Sequence, residues 1–134
     1  HPDAGQTDKV HFMLGKSYHE SGDQISAIKQ FKQLLNKFPS SLFAGSARLH
    51  IGYANLQRGA AKPARDAFRK TVSEYGGHPI AAEARWQLAL VNLELDNTDA
   101  AVRQLNLLLE TSSNEGTYWT DWARRLHSRL TADS

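Results

Sequence analysis

The sequence predicts an all-α fold in which helical hairpins stack side by side, as three helix pairs followed by a C-terminal capping helix. The first observation behind this prediction is a set of columns of similar residues spaced 37 positions apart. The second is that apolar residues between these columns recur with the 3.6-residue period of an amphipathic helix. Two columns hold small residues and one holds large residues: Gly15, Gly52 and Ala89; Ala27, Ala64 and Ala101; Phe31, Phe68 and Leu105.

The first pair shows the pattern most clearly. Apolar residues over 12–18 predict one helix, and those over 25–38 predict a second, with the polar turn Gly22-Asp23 between them. Asp23 is expected to cap the second helix, because its carboxylate can accept hydrogen bonds from the free N–H groups of the first turn. Pro39 is expected to end that helix, since proline disfavours helical geometry in the preceding residue and has no N–H to donate.

The later elements repeat this design. Helices are predicted over 41–58 and 62–75, then over 80–95 and 99–111. A last helix is predicted over 118–130, with the apolar face Trp119, Trp122, Ala123, Leu126 and Leu130. This helix could begin a truncated fourth pair or cap the array, and we favour the cap because its opposite face is charged.

The small columns have a steric purpose. Two antiparallel helices approach to about 8 Å only where both present small side chains, and large side chains then fill the flanking grooves. A single helix pair cannot cover its own apolar face, so the pairs are expected to stack.

The first pair resembles a tetratricopeptide repeat, whose pattern is Trp-x2-Leu-Gly-x2-Tyr, then Ala-x3-Phe, then Pro. Here it reads His11-x2-Leu14-Gly15-x2-Tyr18, then Ala27-x3-Phe31, then Pro39, so only the tryptophan is replaced. The second and third pairs keep the small residue of the first helix and the alanine of the second helix.

The resemblance implies a right-handed superhelix. We expect three repeats at 7–40, 41–78 and 79–116, a capping helix and tail at 117–134, and a disordered or non-native segment at 1–6. The 37-residue period exceeds the usual 34 of this family. We expect the three extra residues after each second helix, where they would add nearly one turn to the next first helix.

Composition excludes several classes of protein. The chain has 134 residues, enough for one domain of ordinary size, and 40% of them are hydrophobic. A net charge of +2 is far below that expected of a nucleic-acid-binding protein. There is no cysteine, which excludes disulfides and thiolate chemistry, and no apolar run is long enough to cross a membrane. The first residues look trimmed, so any N-terminal anchor would already have been lost.

No pattern indicates catalysis. His11 and His19 lie eight positions apart, about 80° out of register on a helix, and His19-Glu20 does not continue into a zinc-binding His-Glu-x-x-His motif. No Gly-x-Ser-x-Gly turn or phosphate-binding loop is present. We therefore predict no metal, no cofactor and no enzymatic activity, and we expect His11 to replace the tryptophan of the family in the helix packing.

The resemblance also implies a binding site. In this family the first helices line a concave groove that usually takes a peptide, and the matching positions here are Phe12, Lys16, His19, Leu49, Tyr53, Leu56, Glu83, Trp86, Leu90 and Leu93. We expect Phe12, Tyr53 and Trp86 to contribute most, because large rigid aromatics give much contact area for little lost entropy. The alternative for each residue is burial against neighbouring helices. On the groove interpretation, Trp86→Ala abolishes partner binding without unfolding the chain.

One charge pattern is regular. Arg58, Lys62, Arg65 and Arg69 form a stripe along the second helix of the second repeat. The region 41–79 has a net charge of +4, whereas 80–116 has −4. A solvated outer face explains this stripe most simply. The alternatives are an acidic partner, anionic lipid, or head-to-tail association of oppositely charged repeats.

Together these features predict a non-catalytic adaptor that binds a protein or peptide, with no nucleic-acid partner and no membrane span. Two short motifs, Phe-Pro-Ser-Ser at 38–41 and Ala-Gly-Ser-Ala at 44–47, resemble bacterial envelope members of the family. They imply a scaffold in an envelope or secretion assembly and a periplasmic or envelope location, with the cytoplasm as the alternative. Two other functions stay open: a self-assembling structural protein that forms weak homo-oligomers, and a regulatory domain of a larger protein.

Overall fold

The computed structural model describes residues 7–111 and 118–132, which form seven α-helices and no strand. The helices are α1 (Asp8–Ser21), α2 (Gln24–Lys37), α3 (Ala44–Gln57), α4 (Ala61–Glu74), α5 (Ile80–Glu94), α6 (Thr98–Thr111) and α7 (Tyr118–Thr131). The prediction of an all-α fold is confirmed. The segment predicted at 1–6 lies outside the described residues, as do the end of the predicted third repeat at 112–116, residue 117 and the end of the predicted tail at 133–134.

The chain divides into two compact units, an N-terminal unit over 1–70 and a C-terminal unit over 71–134. In the N-terminal unit α1 pairs with α2, and α3 packs on α2 while touching α1. In the C-terminal unit α5 pairs with α6, and α7 packs mainly on α6 while touching α5. The hairpins α1–α2 and α5–α6 thus each cover their apolar face with the helix that follows them in the same unit.

The glycines of the first small column lie directly against the aromatic rings of the large column. A Cβ atom built on Gly15 would lie 2.5 Å from Cε1 of Phe31, and one built on Gly52 would lie 2.4 Å from Cε1 of Phe68. Both phenylalanines are completely buried. Only glycine therefore allows the first helix to approach this close to the second.

The same column in the C-terminal unit is less tight. Ala89 and Leu105 are both completely buried and belong to one cluster with Ala101, Leu108 and Ala123. Leucine is smaller than phenylalanine, and an alanine methyl stands in this cluster at the position that glycine occupies in the other repeats.

A further column sets the turn inside each hairpin. One or two residues after the first helix, a residue with a positive φ occurs in all three repeats: 92° at Gly22, 76° at Gly59 and 59° at Asp96. This left-handed residue lets the next backbone N–H reach back to the last turn of the helix. The resulting bonds are Asp23 N to Tyr18 O at 2.9 Å, Ala60 N to Asn55 O at 2.8 Å and Asn97 N to Asn92 O at 2.7 Å.

Side chains close the starts of the first two helices. Thr7 accepts a hydrogen bond from the Val10 backbone, and Asp23 accepts one from the Ser26 backbone, which confirms the predicted cap. The Ser26 hydroxyl also donates to the second carboxylate oxygen of Asp23 at 2.7 Å. The hydrogen bonds from the Ser26 side chain and backbone hold the pKa of Asp23 below its ordinary value.

The expected extra turn in the first helices is wrong. Helices α1 and α3 both have 14 residues, and the additional residues lie in the connection between repeats. The Ser41 hydroxyl accepts from the Phe43 backbone at 3.0 Å and donates to the carboxylate of Asp8. A serine side chain that binds the nearby backbone competes with helix formation. The residues from Ser41 to Phe43 therefore form a turn, and α3 begins only at Ala44.

The final helix does not repeat the burial pattern of α5. One period after the buried residues Ala84, Leu88 and Val91 come Asp121, Arg125 and Ser128, which are exposed. Helix α7 instead buries Ala123 and packs Leu126 and Leu130 against the cluster of the C-terminal unit. Helix α7 therefore packs on the α5–α6 hairpin through one face, and its opposite face is exposed.

The glycine column can be tested by adding one methyl group. Gly52→Ala should destabilise the protein by about 1–3 kcal/mol, because the new Cβ overlaps the buried ring of Phe68. Gly77→Ala is the matched control, since nothing lies within 4 Å of a Cβ there, and its effect should stay within about 1 kcal/mol. Urea unfolding of both variants measures the difference. Equal stabilities would show that the close approach at Gly52 is not a constraint.

The cap at Asp23 predicts a pH dependence. A lowered folded-state pKa means that ionised Asp23 stabilises the folded protein above the ordinary aspartate pKa of 3.8, and that this contribution is lost as the pH falls through the lowered pKa. Asp23→Asn keeps an acceptor but cannot titrate. The parent should therefore lose stability relative to this variant in that acidic range, as measured by urea unfolding at several pH values. Parallel pH profiles would exclude the effect.

Candidate functional site

The structure places the predicted groove residues of the N-terminal unit at two depths. Phe12 and Leu49 are only 9% and 3% exposed. Phe12 stacks on Phe43 with ring centroids 5.0 Å apart and also contacts the ring of Phe31 at 6.0 Å. The expectation that Phe12 presents a large contact area to a partner is corrected, because its ring is already covered by its own chain.

The other four predicted residues of this unit are half-buried. Nζ of Lys16 lies 5.7 Å above the ring of Phe12, and Nδ1 of His19 shares a 2.6 Å hydrogen bond with Oε1 of Gln24. Tyr53 meets the ring of Phe68 edge-on at 5.6 Å, and Leu56 lies three residues further along α3. Each of these residues still has surface that a partner could contact.

His11 is a core residue, as the sequence indicated. It is 4% exposed, its Nδ1 lies 3.0 Å from Oε1 of Gln30, and its ring packs on Phe38 at 6.1 Å. Two periods later, in the C-terminal unit, Arg85 is 9% exposed and its Nη1 donates to the Thr111 hydroxyl at 3.4 Å. Burial lowers the pKa of this guanidinium. His11 and Arg85 therefore serve packing, whereas Arg48, between them in the column, is half-buried.

In the C-terminal unit, one predicted residue, Trp86, lies against the tryptophans of α7. The ring of Trp86 lies 5.6 Å from that of Trp122, which in turn meets Trp119 edge-on at 5.5 Å. Trp86 and Leu93 pack against the buried cluster of this unit and are half-buried, as is Glu83. Because Trp86 packs against this cluster, replacing it with alanine removes some core contacts and should lower stability. That Trp86→Ala abolishes partner binding without unfolding the chain stays a prediction.

Two large apolar side chains beside Trp86 remain exposed. Trp122 is 43% exposed, and Leu90, one helical turn after Trp86, is 37% exposed. We call Trp86, Leu90 and Trp122 the aromatic surface. Apolar side chains grouped at a surface are a typical feature of protein interaction sites.

The basic stripe predicted along one helix is divided in the structure: Lys62, Arg65 and Arg69 lie on α4, whereas Arg58 is the C-cap of α3. Asp66 lies 3.8 Å from Nε of Arg65 and 3.8 Å from Nη1 of Arg69. Lys62 is exposed in the first turn of α4, and Arg58 donates to the side chain of Asn55 at 3.1 Å. Asp66 thus pairs with two of the four stripe residues, and a role of the stripe in binding stays a prediction.

A hollow of about 950 Å³ lies between α2, α3 and α4. We call it the basic groove, because its lining includes five cations and one carboxylate: Lys29, Lys32, Arg48, Arg58 and Lys70, with Asp66. Of the predicted stripe, only Arg58 lines it. The cations on α2 were missed, although their spacing of three residues places Lys29 and Lys32 on one helix face.

The described residues offer no arrangement for metal chemistry. Over 7–111 and 118–132, no three histidine, aspartate or glutamate side chains come together as ligands for a metal ion. None of the described helices has the length and apolar character needed to cross a membrane.

A sequence profile of the tetratricopeptide repeat-like domain matches residues 6–116. The chain belongs to this family. Repeats of this fold typically serve as non-catalytic scaffolds for protein–protein interaction, so the family indicates this general class of function. None of the curated proteins compared with the chain matches it.

Two solved structures are similar to this repeat chain. MamA is 19% identical with a TM-score of 0.69, and the match covers 98% of this chain and 80% of MamA. A tetratricopeptide repeat protein from Parabacteroides merdae is 16% identical with a TM-score of 0.48, and the match covers 96% of this chain and 62% of that protein. The likeness to MamA shows the shared fold.

Two adjacent residues of α1, the buried Phe12 and the exposed Met13, allow the assignment of Phe12 to the core to be tested. Phe12→Ala should destabilise the protein by about 3 kcal/mol or more, because it leaves a cavity between Phe31 and Phe43. Met13→Ala should change stability by no more than about 0.5 kcal/mol, since Met13 is 52% exposed. Thermal and urea unfolding measure both. A loss of stability as small as that of Met13→Ala would contradict the assignment of Phe12 to the core and would favour the partner-binding role predicted from the sequence.

Proposed function

We propose that the chain is a non-catalytic adaptor that binds a partner protein through the aromatic surface of its C-terminal unit. The observation that carries this proposal is the exposure of Trp122 and Leu90 beside the half-buried Trp86. Family membership supports a protein partner, and these side chains indicate the surface that would meet it.

The energetic argument follows from area and rigidity. Fully burying a leucine side chain contributes about 1.5–3 kcal/mol, and tryptophan offers a larger apolar area. Trp122 is already held by Trp86 and Trp119, at centroid distances of 5.6 and 5.5 Å. Less side-chain freedom is then lost on binding, which favours affinity. This combination is typical of interface residues that dominate binding energy.

The first-helix positions of the N-terminal unit remain part of the proposal. Lys16, His19, Tyr53 and Leu56 are half-buried, so each can add a contact of modest area. Lys16 and His19 supply polar atoms that can orient a partner, whereas Tyr53 and Leu56 supply apolar surface. We propose the same orienting role for Glu83 in the C-terminal unit.

We also propose a bacterial envelope or secretion assembly as the setting. The support is the likeness of the loop motifs at 38–41 and 44–47 to envelope members of the family. Fractionation of the native source with an antibody to this chain tests it directly. Recovery with the envelope or periplasm is expected, and recovery in the cytoplasm would reject this setting.

The aromatic surface is tested by changing its exposed leucine. Leu90→Gln should lower partner binding at least tenfold while leaving the fold intact, because this side chain is exposed in the free protein. Leu107→Gln is the matched control, since Leu107 is a similarly exposed leucine (40%) on α6. The partner is first captured with a photo-crosslinking residue at position 90, and the purified partner is then titrated against both variants by calorimetry.

Two results would contradict this proposal. Equal affinity in Leu90→Gln and the parent would reject the aromatic surface. A crosslinked product that contains only a second copy of this chain would replace the adaptor by the self-assembling protein considered from the sequence.

A further inference from the structure

The basic groove of the N-terminal unit has the dimensions of a helix-binding site. Its α2 wall extends from Ile25 to Asn36, which spans about 17 Å at the helical rise of 1.5 Å per residue. Helix α4 forms the opposite wall and α3 lies between them. A groove of this length matches about three turns of a bound helix.

Apolar side chains lie between the charged ones. Ile28, Leu35, Ile51 and Ala67 line the groove, and each is partly or largely buried. Ile25 lines it as well and is 63% exposed. An exposed isoleucine beside these apolar lining residues favours an occupant with an apolar stripe of its own. A purely polyanionic ligand would leave this lining unused.

Five of the six charged residues that line the groove are cations, and they come from all three helical segments around it. Lys29 and Lys32 lie on α2, Arg48 and Arg58 on α3, and Lys70 on α4. In the described part of the chain, no salt bridge involves Lys29, Lys32 or Lys70. The one lining carboxylate, Asp66, is already shared by two arginines. An acidic occupant would therefore supply the missing opposite charge.

One of these cations is held in place by a buried residue. Asn55 is 5% exposed; its amide donates to the Ile51 carbonyl at 3.0 Å and its oxygen accepts from Nη1 of Arg58 at 3.1 Å. One period later, Asn92 keeps the bond to the backbone, but Leu95 replaces the arginine. The oriented Arg58 is thus specific to the groove and is not a general requirement of the repeat.

We propose that this basic groove binds an acidic amphipathic helix of a partner protein. The apolar stripe of that helix lies on Ile25, Ile28 and Ile51, and carboxylates on its two edges meet Lys29 and Lys32 on one side and Arg58 and Lys70 on the other. This binding mode is separate from the aromatic surface and from the first-helix positions, so neither proposal depends on the other.

The probe is a fluorescent peptide of about three helical turns, with leucines at i, i+3, i+4 and i+7 and glutamates on both sides of them. Fluorescence anisotropy should show saturable binding that weakens as the salt concentration rises. Peptides with lysine in place of glutamate, or with the leucine positions scrambled, should bind at least tenfold more weakly. Failure of the acidic peptide to bind would overturn the proposal.

Two pairs of variants locate the binding. Lys29→Glu combined with Lys32→Glu should weaken it at least tenfold, whereas Lys62→Glu combined with Arg103→Glu changes the net charge equally at exposed positions outside the groove. Ile25→Gln should weaken it several-fold, with Leu42→Gln as control because Leu42 is 99% exposed and does not line the groove. Equal losses within either pair would contradict the proposed site. Circular dichroism confirms that every variant is folded.

Other occupants give distinct results. A concentration-dependent dimer of the chain alone that the Lys29→Glu, Lys32→Glu variant abolishes would assign the groove to a second copy and overturn the proposal. Groove-dependent binding to phosphatidylglycerol vesicles without binding to the peptide would assign it to a membrane surface and also overturn it. Leu90→Gln should retain peptide affinity, which separates a failure here from a failure of the aromatic surface.

Discussion

The contact between a bare glycine backbone and a buried phenylalanine ring is the constraint on which each N-terminal hairpin depends. At Gly15 and Gly52 a Cβ would fall within 2.5 Å of the facing ring, so the absence of a side chain sets the distance between the two helices. The ring then fills the space that the close approach creates. The ring and the glycine together fill the interior of the hairpin. Neither the basic groove nor the aromatic surface includes any of these four residues.

The sequence was sufficient to predict the helices because their determinants are local and periodic. Small and large columns, the cap at Asp23 and the stop at Pro39 all act within one or two turns of the residues concerned. The left-handed residues Gly22, Gly59 and Asp96 keep the same 37-residue spacing, but the sequence analysis did not identify them as a column. The connection before α3 was not, because it depends on Ser41, whose hydroxyl binds Phe43 and a carboxylate 33 residues earlier in the chain. Periodicity carries no information about such a bond.

The candidate site was harder to predict, because burial depends on residues outside the repeat pattern. Phe12 is covered by Phe43, which belongs to the connection, and Trp86 is covered by Trp122 of the last helix. Neither neighbour has a counterpart in the family motif. The basic groove was missed for a similar reason: its cations come from three helices, whereas the regular stripe on α4 contains Asp66, which pairs with two of its arginines. The sequence pattern predicts which side of a helix a residue lies on, but it does not predict which residues of other helices pack against that side.

The central claim is that this repeat protein binds a partner through side chains its own packing leaves exposed. The chain has three tryptophans, Trp86, Trp119 and Trp122, so its indole N–H groups give a small set of assignable ¹⁵N NMR signals. The most direct test is to titrate the ¹⁵N-labelled chain with the purified partner that crosslinking at position 90 has identified. The account predicts that the Trp122 indole signal shifts or broadens in proportion to complex formation. Saturation of the complex with all three indole signals unchanged would contradict it.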